Sequence, residues 1–244
     1  SLVGSEMCIR DSIYAIKLMN GSSRSIAIKK NIIASLFLKS ISILVSLQVV
    51  PLTINYINPT RYGIWLTLSS IVAWLSYFDL GFAHGFRNRF AEAVAKGDMQ
   101  LAREYVSTTY VVLSLLFSGV FLIAIVVNHF VDWSAILNVD AAYSSELNIV
   151  FGILAFFFCL NIVASIFTTM LTANQKPALA SLIQTLGQVF GFICIYVLTK
   201  TVPGNLDVLA FAFSGVPCFL LIIISIGMFL SGRYRHLSPS FHFV

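Results

Sequence analysis

YVSTTYVVLSLLFSGVFLIAIVVNHF, residues 105–130, runs without a single Asp, Glu, Lys or Arg, and that run decides the fold class. About 20 apolar residues in a helix cross the hydrocarbon core of a bilayer. Comparable apolar runs occupy about 31–57, 62–83, 147–172, 178–199 and 208–230, so the sequence predicts six spans. Composition agrees: the 244-residue chain is 58% hydrophobic and 10% charged, where a soluble domain carries roughly 25% charged residues. Its mean hydropathy is +0.90. The expected fold is therefore all-α, a polytopic membrane protein of six transmembrane helices.

The breaks between runs carry turn chemistry: Asn58-Pro59, Gly97-Asp98, Asn174-Gln175-Lys176-Pro177 and Pro203-Gly204-Asn205. Pro177 suits the first turn of a helix, where its missing N–H is not needed. Orientation follows from the basic residues, which are retained on the cytoplasmic side. Lys17, Arg24, Lys29, Lys30, Arg87, Arg89, Lys96, Arg103, Lys176, Arg233 and Arg235 all fall in one set of alternate segments. The other set holds only Arg61 and Lys200, together with the acidic Asp132, Asp140 and Glu146. Both ends of the chain are thus expected on the cytoplasmic side. The net charge of +5 bears on topology, and a nucleic-acid partner is not expected.

Four segments are expected. Residues 1–12, SLVGSEMCIRDS, have neither a helical stripe nor the parts of a signal peptide; they resemble translated adapter read-through and are expected to be a non-native leader. Residues 13–30 form a basic cytoplasmic segment, 31–230 the six-helix lobe, and 231–244 a cytoplasmic segment that breaks off as a truncated chain would. Between spans two and three, RNRFAEAVAKG reads as a helix continuing out of the membrane with Phe90 and Val94 on one side, closed by Gly97 as a C-terminal cap. Asp98 then suits the N-cap of the next helix. Cys159, Cys194 and Cys218 sit in apolar runs and read as small apolar side chains.

Ionisable groups inside spans are the expensive ones, at a few kcal/mol or more unless paired or hydrated. Lys39 shares a helical face with Ser35, Ser42 and Ser46, spaced four, three and four. It either looks into a wet cavity or snorkels to the headgroups. Asp79, in Phe78-Asp79-Leu80-Gly81, either pairs with a basic neighbour, Lys39 among them, or couples an ion. Polar stripes recur at Asn161, Ser165, Thr168 and Thr172, and at Ser181, Gln184 and Gln188; such faces turn inward in hydrocarbon. Gly187 and Gly191 form a small-xxx-small pair for close helix packing. Pro51 and Pro217 fall within spans and are expected to kink them. No P-loop, GxSxG or HExxH motif occurs, and His84, His129, His236 and His242 do not cluster; neither enzyme activity nor a metal or cofactor is expected.

The string YGIWLTLSSIVAWLSYFDLGFAHGFRNRFAEAVAKGD, Tyr62 to Asp98, resembles the bacterial polysaccharide-repeat flippases of the multidrug/oligosaccharidyl-lipid/polysaccharide exporter superfamily, the O-antigen and lipopolysaccharide-biosynthesis transporters. Its elements are YGIW after an Asn-Pro turn, FDLG, Arg87-Asn88 and AEAVAKGD. VPLTINYINP in span one and the basic segment before SPSF are similar too, so the likeness covers roughly residues 26–244. His84 departs from it, standing where a polar amide such as Asn is expected.

The resemblance implies one lobe of a two-lobed transporter of 12 to 14 helices, MATE-like, in the bacterial inner membrane. It would move a polyprenyl-diphosphate-linked oligosaccharide to the periplasmic leaflet for O-antigen, capsule or exopolysaccharide assembly. The implied partners are that substrate, membrane lipids, a proton or sodium as coupling ion, and other polysaccharide-assembly membrane proteins. On this chain Lys39 would offer charge to the diphosphate. Ser42, Ser46, Asn161, Ser165, Gln184 and Gln188 would line the sugar path, and Asp79, Arg87 and Arg89 would serve the gate or coupling. Two rivals stay open: a drug/cation antiporter of the same superfamily, which would carry more acidic residues within its spans, and a membrane-embedded polymerase or ligase, which would need a large basic periplasmic loop. A non-transporting scaffold would lack the polar stripes.

Overall fold

The computed structural model describes residues 23–75, 81–232 and 234–239, and every regular element among them is helical. The leader 1–12, Asp79 with the rest of 76–80, Arg233 and the last residues, 240–244, lie outside the described residues. The helices are α1 (Ser23–Ile57), α2 (Pro59–Ala73), α3 (Phe82–Lys96), α4 (Met99–Phe130), α5 (Trp133–Leu137), α6 (Ser144–Ala173), α7 (Pro177–Thr201) and α8 (Leu206–Leu230).

Their limits are set by local chemistry. Asn58, at φ 72°, caps α2 by accepting from Arg61 N, with Pro59 in the first turn. Gly97, at φ 79°, ends α3, and the Asp98 carboxylate then accepts from Leu101 N at 2.9 Å to start α4. The caps expected at Gly97 and Asp98 are therefore present. Asn205 opens α8 by accepting from Asp207 N at 2.8 Å, and Pro177 sits in the first turn of α7.

Five helices are long and apolar enough to cross a membrane: Asn31–Ile57 of α1, then α4, Ala141–Ala173 containing α6, α7 and α8. The sixth apolar run, 62–83, is not one continuous helix. Its first part is α2, 15 residues or about 22 Å long, and α3 begins only at Phe82, after Gly81 in the left-handed conformation at φ 80°. No right-handed helix continues through that backbone. α2 packs into one core cluster, Leu75 touches both clusters, and Phe86 of α3 lies in the other.

Inter-helix contacts fix two ends. At one, Arg61 of α2 meets Glu146 of α6 and the Gly204 carbonyl, and Tyr56 OH donates to Pro203 O. At the other, Asn31 donates to Gln175 O, Lys176 to Tyr234 OH, and Arg103 to Ser238 O. The cluster nearer the first end is built on Trp65, Leu68, Leu154 and Leu209, and the one nearer the second on Phe90, Phe117, Phe167 and Met170. Phe90 and Phe86 are buried, so the α3–α4 hairpin is embedded in this second core rather than laid on its surface, with Arg87, Arg89 and Lys96 exposed. Asn31 and Tyr234 share an end, at Gln175 and Lys176.

Large apolar side chains cover the outside: Leu36, Phe37, Leu44 and Leu47 on α1, Leu115, Leu122 and Ile123 on α4, Ile223 on α8. A surface of that kind is stable against lipid rather than water. Long apolar helices with apolar outer faces are the architecture of a multi-pass membrane protein.

Candidate functional site

The chain's polar atoms meet where α1 packs along α7. Asn31 faces Gln175, Thr185 Oγ1 donates to Leu38 O at 3.3 Å, and Tyr56 faces Pro203. Partners rise together in both helices, so α1 and α7 run parallel. Two stripes of matching period, one per helix, can then face each other over several turns. They do: the Ser42 hydroxyl donates to Gln188 Oε1. Ser46 and Gln188 line the cleft beside that bond.

Lys39 lies two turns along α1 from Asn31, exposed, one turn from Ser42 on the Ser42 face. It makes no ion pair or hydrogen bond among the described residues. Gln184, one turn before Gln188, is exposed at the same height on α7. Ser35, on the same α1 stripe, has a buried hydroxyl without a hydrogen-bond partner among the described residues. Of the sequence stripe Ser35, Lys39, Ser42 and Ser46, Ser42 meets α7 through Gln188 and Ser46 lines the adjoining cleft.

The cleft next to this seam is about 430 Å³, enclosed by α1, α2, α7 and α8. Beyond Ser46 and Gln188 it is bounded by Thr53, Tyr62, Trp65, Phe213 and Pro217. Thr53 is buried and gives its hydroxyl to Val49 O at 2.8 Å. Thr53, Tyr62 and Trp65 did not emerge from the sequence, although Thr53 stands seven residues after Ser46 on the same face. Gly187 and Gly191 do what their spacing suggested, since Pro217 lies flat on them. A Cβ on Gly187 would stand 3.3 Å from Pro217 Cα and Cβ. α1 runs on through Pro51 and α8 through Pro217.

The α6 stripe behaves differently. Ser165 donates to Ile162 O, Thr168 to Ser165 O and Thr172 to Thr168 O, at 2.7–2.8 Å. Its hydroxyls satisfy the carbonyls of their own helix. Ser165 lines a smaller cleft of about 170 Å³ with Ala83, Phe86 and Thr109, while Asn161 is exposed on α6. Neither belongs to the cleft at the α1–α7 seam. Arg87 and Arg89 are exposed on α3, and Arg89 pairs with Glu92 at 3.6 Å. Asp79 lies outside the described residues, so its expected pairing with Lys39 does too.

Chemically, the seam brings the Lys39 cation, the hydroxyls of Ser42, Ser46 and Thr185 and the primary amides of Gln184 and Gln188 within about two helical turns of a mainly apolar wall. Such a set can neutralise an anion and exchange hydrogen bonds with a polyhydroxylated ligand. No protein-family model, no curated protein and no solved structure matches the chain.

Proposed function

We propose that the chain is one six-span lobe of a two-lobed, MATE-like flippase that carries a polyprenyl-diphosphate-linked oligosaccharide to the periplasmic leaflet of a bacterial inner membrane. The observation that carries this reading is the α1–α7 seam, where an exposed lysine sits within a long apolar helix beside Ser42, Ser46, Gln184 and Gln188. Lys39 has no ion-pair partner among the described residues, and a cation held inside an apolar span is a functional feature by default. The diphosphate is the natural counter-ion for Lys39, and the hydroxyls and amides can trade partners with sugar hydroxyls at little net cost.

The charge distribution supports the orientation. Arg87, Arg89, Lys96, Arg103 and Lys176 gather toward one end and Asp132, Asp140, Glu146 and Asp207 toward the other, so the Lys176 end is cytoplasmic under the positive-inside rule. α2 and α3 together supply the second span as a broken crossing, a form found where irregular backbone is buried or lines a cavity. Alternating access would move this lobe against its partner around the seam.

The test is Lys39→Ala in the full-length protein. Loss of surface polysaccharide display with normal membrane abundance is the expected outcome, and Lys39→Arg should retain display. Unchanged display in Lys39→Ala would remove Lys39 from the mechanism.

A further inference from the structure

On the other side of α8 from the seam, α4, α6 and α8 border a larger hollow of about 1060 Å³. Its walls run along α4 from Ser107 to Leu115 and along α8 from Ile222 to Leu230, mainly apolar with Ser114 and Ser225 among them, and Val163 of α6 lies at its floor. Each wall is about eight residues long, so the trough runs roughly 12 Å along the helix axes. In a membrane that direction is the direction of the lipid chains.

The mouth of the trough lies at the Lys176 end, where Ser107 and Pro239 line it. Arg103 stands one turn before Ser107, and its Nε donates to Ser238 O at 2.9 Å, holding the Ser238–Pro239 strap against α4. No carboxylate pairs with Arg103 among the described residues. An apolar trough parallel to the acyl chains therefore ends in a guanidinium at headgroup depth. We propose that this trough holds an acyl chain of an anionic phospholipid whose phosphate pairs with Arg103. Guanidinium and phosphate match in shape and charge. A helix of a second copy laid along the same trough would run into the Ser238–Pro239 strap, whereas a lipid chain ends below it with its headgroup alongside. The site is separate from the α1–α7 seam, so it stands or falls independently of the flippase reading, and it rests only on the bundle being membrane-embedded.

The test is native mass spectrometry of the full-length protein titrated with phosphatidylglycerol, phosphatidylcholine and glycerol phosphate. One basic residue near the surface contributes about 1 kcal/mol toward an anionic lipid, or about fivefold in affinity. Phosphatidylglycerol should therefore bind about fivefold more tightly than phosphatidylcholine. Arg103→Gln should abolish that ratio and Arg103→Lys should keep most of it. Ile226→Trp, which fills the trough from an exposed position, should weaken both lipids, and Lys96→Gln on the neighbouring hairpin should change neither. If Arg103→Gln does not fold, Ile226→Trp carries the test alone. Equal retention of both lipids, glycerol phosphate binding as tightly as the intact lipid, or a dimer that Ile226→Trp dissociates would each overturn the proposal.

Discussion

Arg61 is the residue whose loss should most clearly loosen the end of the bundle opposite Lys176. From the first turn of α2 its Nη2 donates to Glu146 Oε2 at 3.3 Å and its Nη1 to Gly204 O at 3.2 Å. Its guanidinium carbon stands 5.5 Å from the centre of the Tyr143 ring. One side chain thus ties the α1–α2 turn, the start of α6 and the α7–α8 turn. The three contacts differ in worth. The ion pair is partly solvated, with side chains 28% and 22% exposed, which puts it in the range of about 0–1 kcal/mol. The hydrogen bond from a charged donor to the carbonyl contributes about 1.5 kcal/mol or somewhat more, and the stacking on Tyr143 about 0.5 kcal/mol.

Arg61→Ala should therefore destabilise the bundle by about 2–3 kcal/mol, and Glu146→Gln by about 1 kcal/mol at most. Glu146→Gln leaves the carbonyl and ring contacts in place and keeps an amide oxygen as acceptor. Arg61→Lys should fall between them, because a point cation cannot serve the carboxylate and the carbonyl in the fixed geometry of a guanidinium. The measurement is equilibrium unfolding in mixed micelles at low and high salt. Salt should shrink the Glu146 contribution and leave the Gly204 contribution largely unchanged. Equal losses for Arg61→Ala and Glu146→Gln would refute this partition, as would an Arg61→Ala variant as stable as the parent.

Other consequences are equally direct. Gly204→Ala would set a Cβ against the Tyr56 carbonyl oxygen, which is backbone and has little room to yield; the expected loss is about 3 kcal/mol, read in the same unfolding assay. A Ser42→Ala, Gln188→Leu double-mutant cycle should give a coupling of about 0.6 kcal/mol, and no more than about 1.7, as for other hydrogen bonds between membrane helices. A null coupling would mean that the two side chains do not bond across the seam. Asp132 accepts from Ser134 N, Ala135 N and the Ser134 hydroxyl, and the hydroxyl bond above all holds its carboxyl below the usual carboxylate range. A depressed folded pKa stabilises above the unfolded value and is lost as pH falls through the folded one. Acid should therefore release the neighbouring Trp133 from its stack on Phe151 only below the usual carboxylate range, followed by Trp133 fluorescence, and Asp132→Ala should show the released signal at neutral pH.

Much of this architecture was legible in the residues because lipid asks for few things. Long apolar runs, Gly97 followed by Asp98, and Pro177 after Lys176 each report a local requirement, and each is met. The break before α3 was not legible. FDLGF continues the apolar run, and hydropathy carries no information about the backbone angle at Gly81. The three polar stripes looked alike in sequence and have different fates. On α1 and α7 the stripes meet because those helices are parallel neighbours, a property of topology; on α6 the hydroxyls turn back to their own carbonyls, an outcome that spacing alone cannot distinguish. Arg61 counted only as an exception to the charge rule, since its three partners are brought together by turns far apart in the chain.

The seam is also the helix contact of the bundle that is least costly to open. α1 packs chiefly along α7, and the bilayer-spanning part of α1 has no buried stretch comparable to those of α6 or α8. Lipid is as apolar as leucine, so separating two apolar faces in a bilayer forfeits packing but no hydrophobic gain. The Ser42–Gln188 bond and the Thr185 contact with Leu38 are then the specific cross-ties holding α1 in register midway along α7. Hydrogen bonds of this kind are worth about 0.6 kcal/mol each, little more than thermal energy. A ligand rich in hydroxyls could replace them at almost no cost, with its anionic group drawn to Lys39 one turn away. The same polar atoms would then close the seam when it is empty and open it when it is occupied, so substrate binding and helix displacement would be one event.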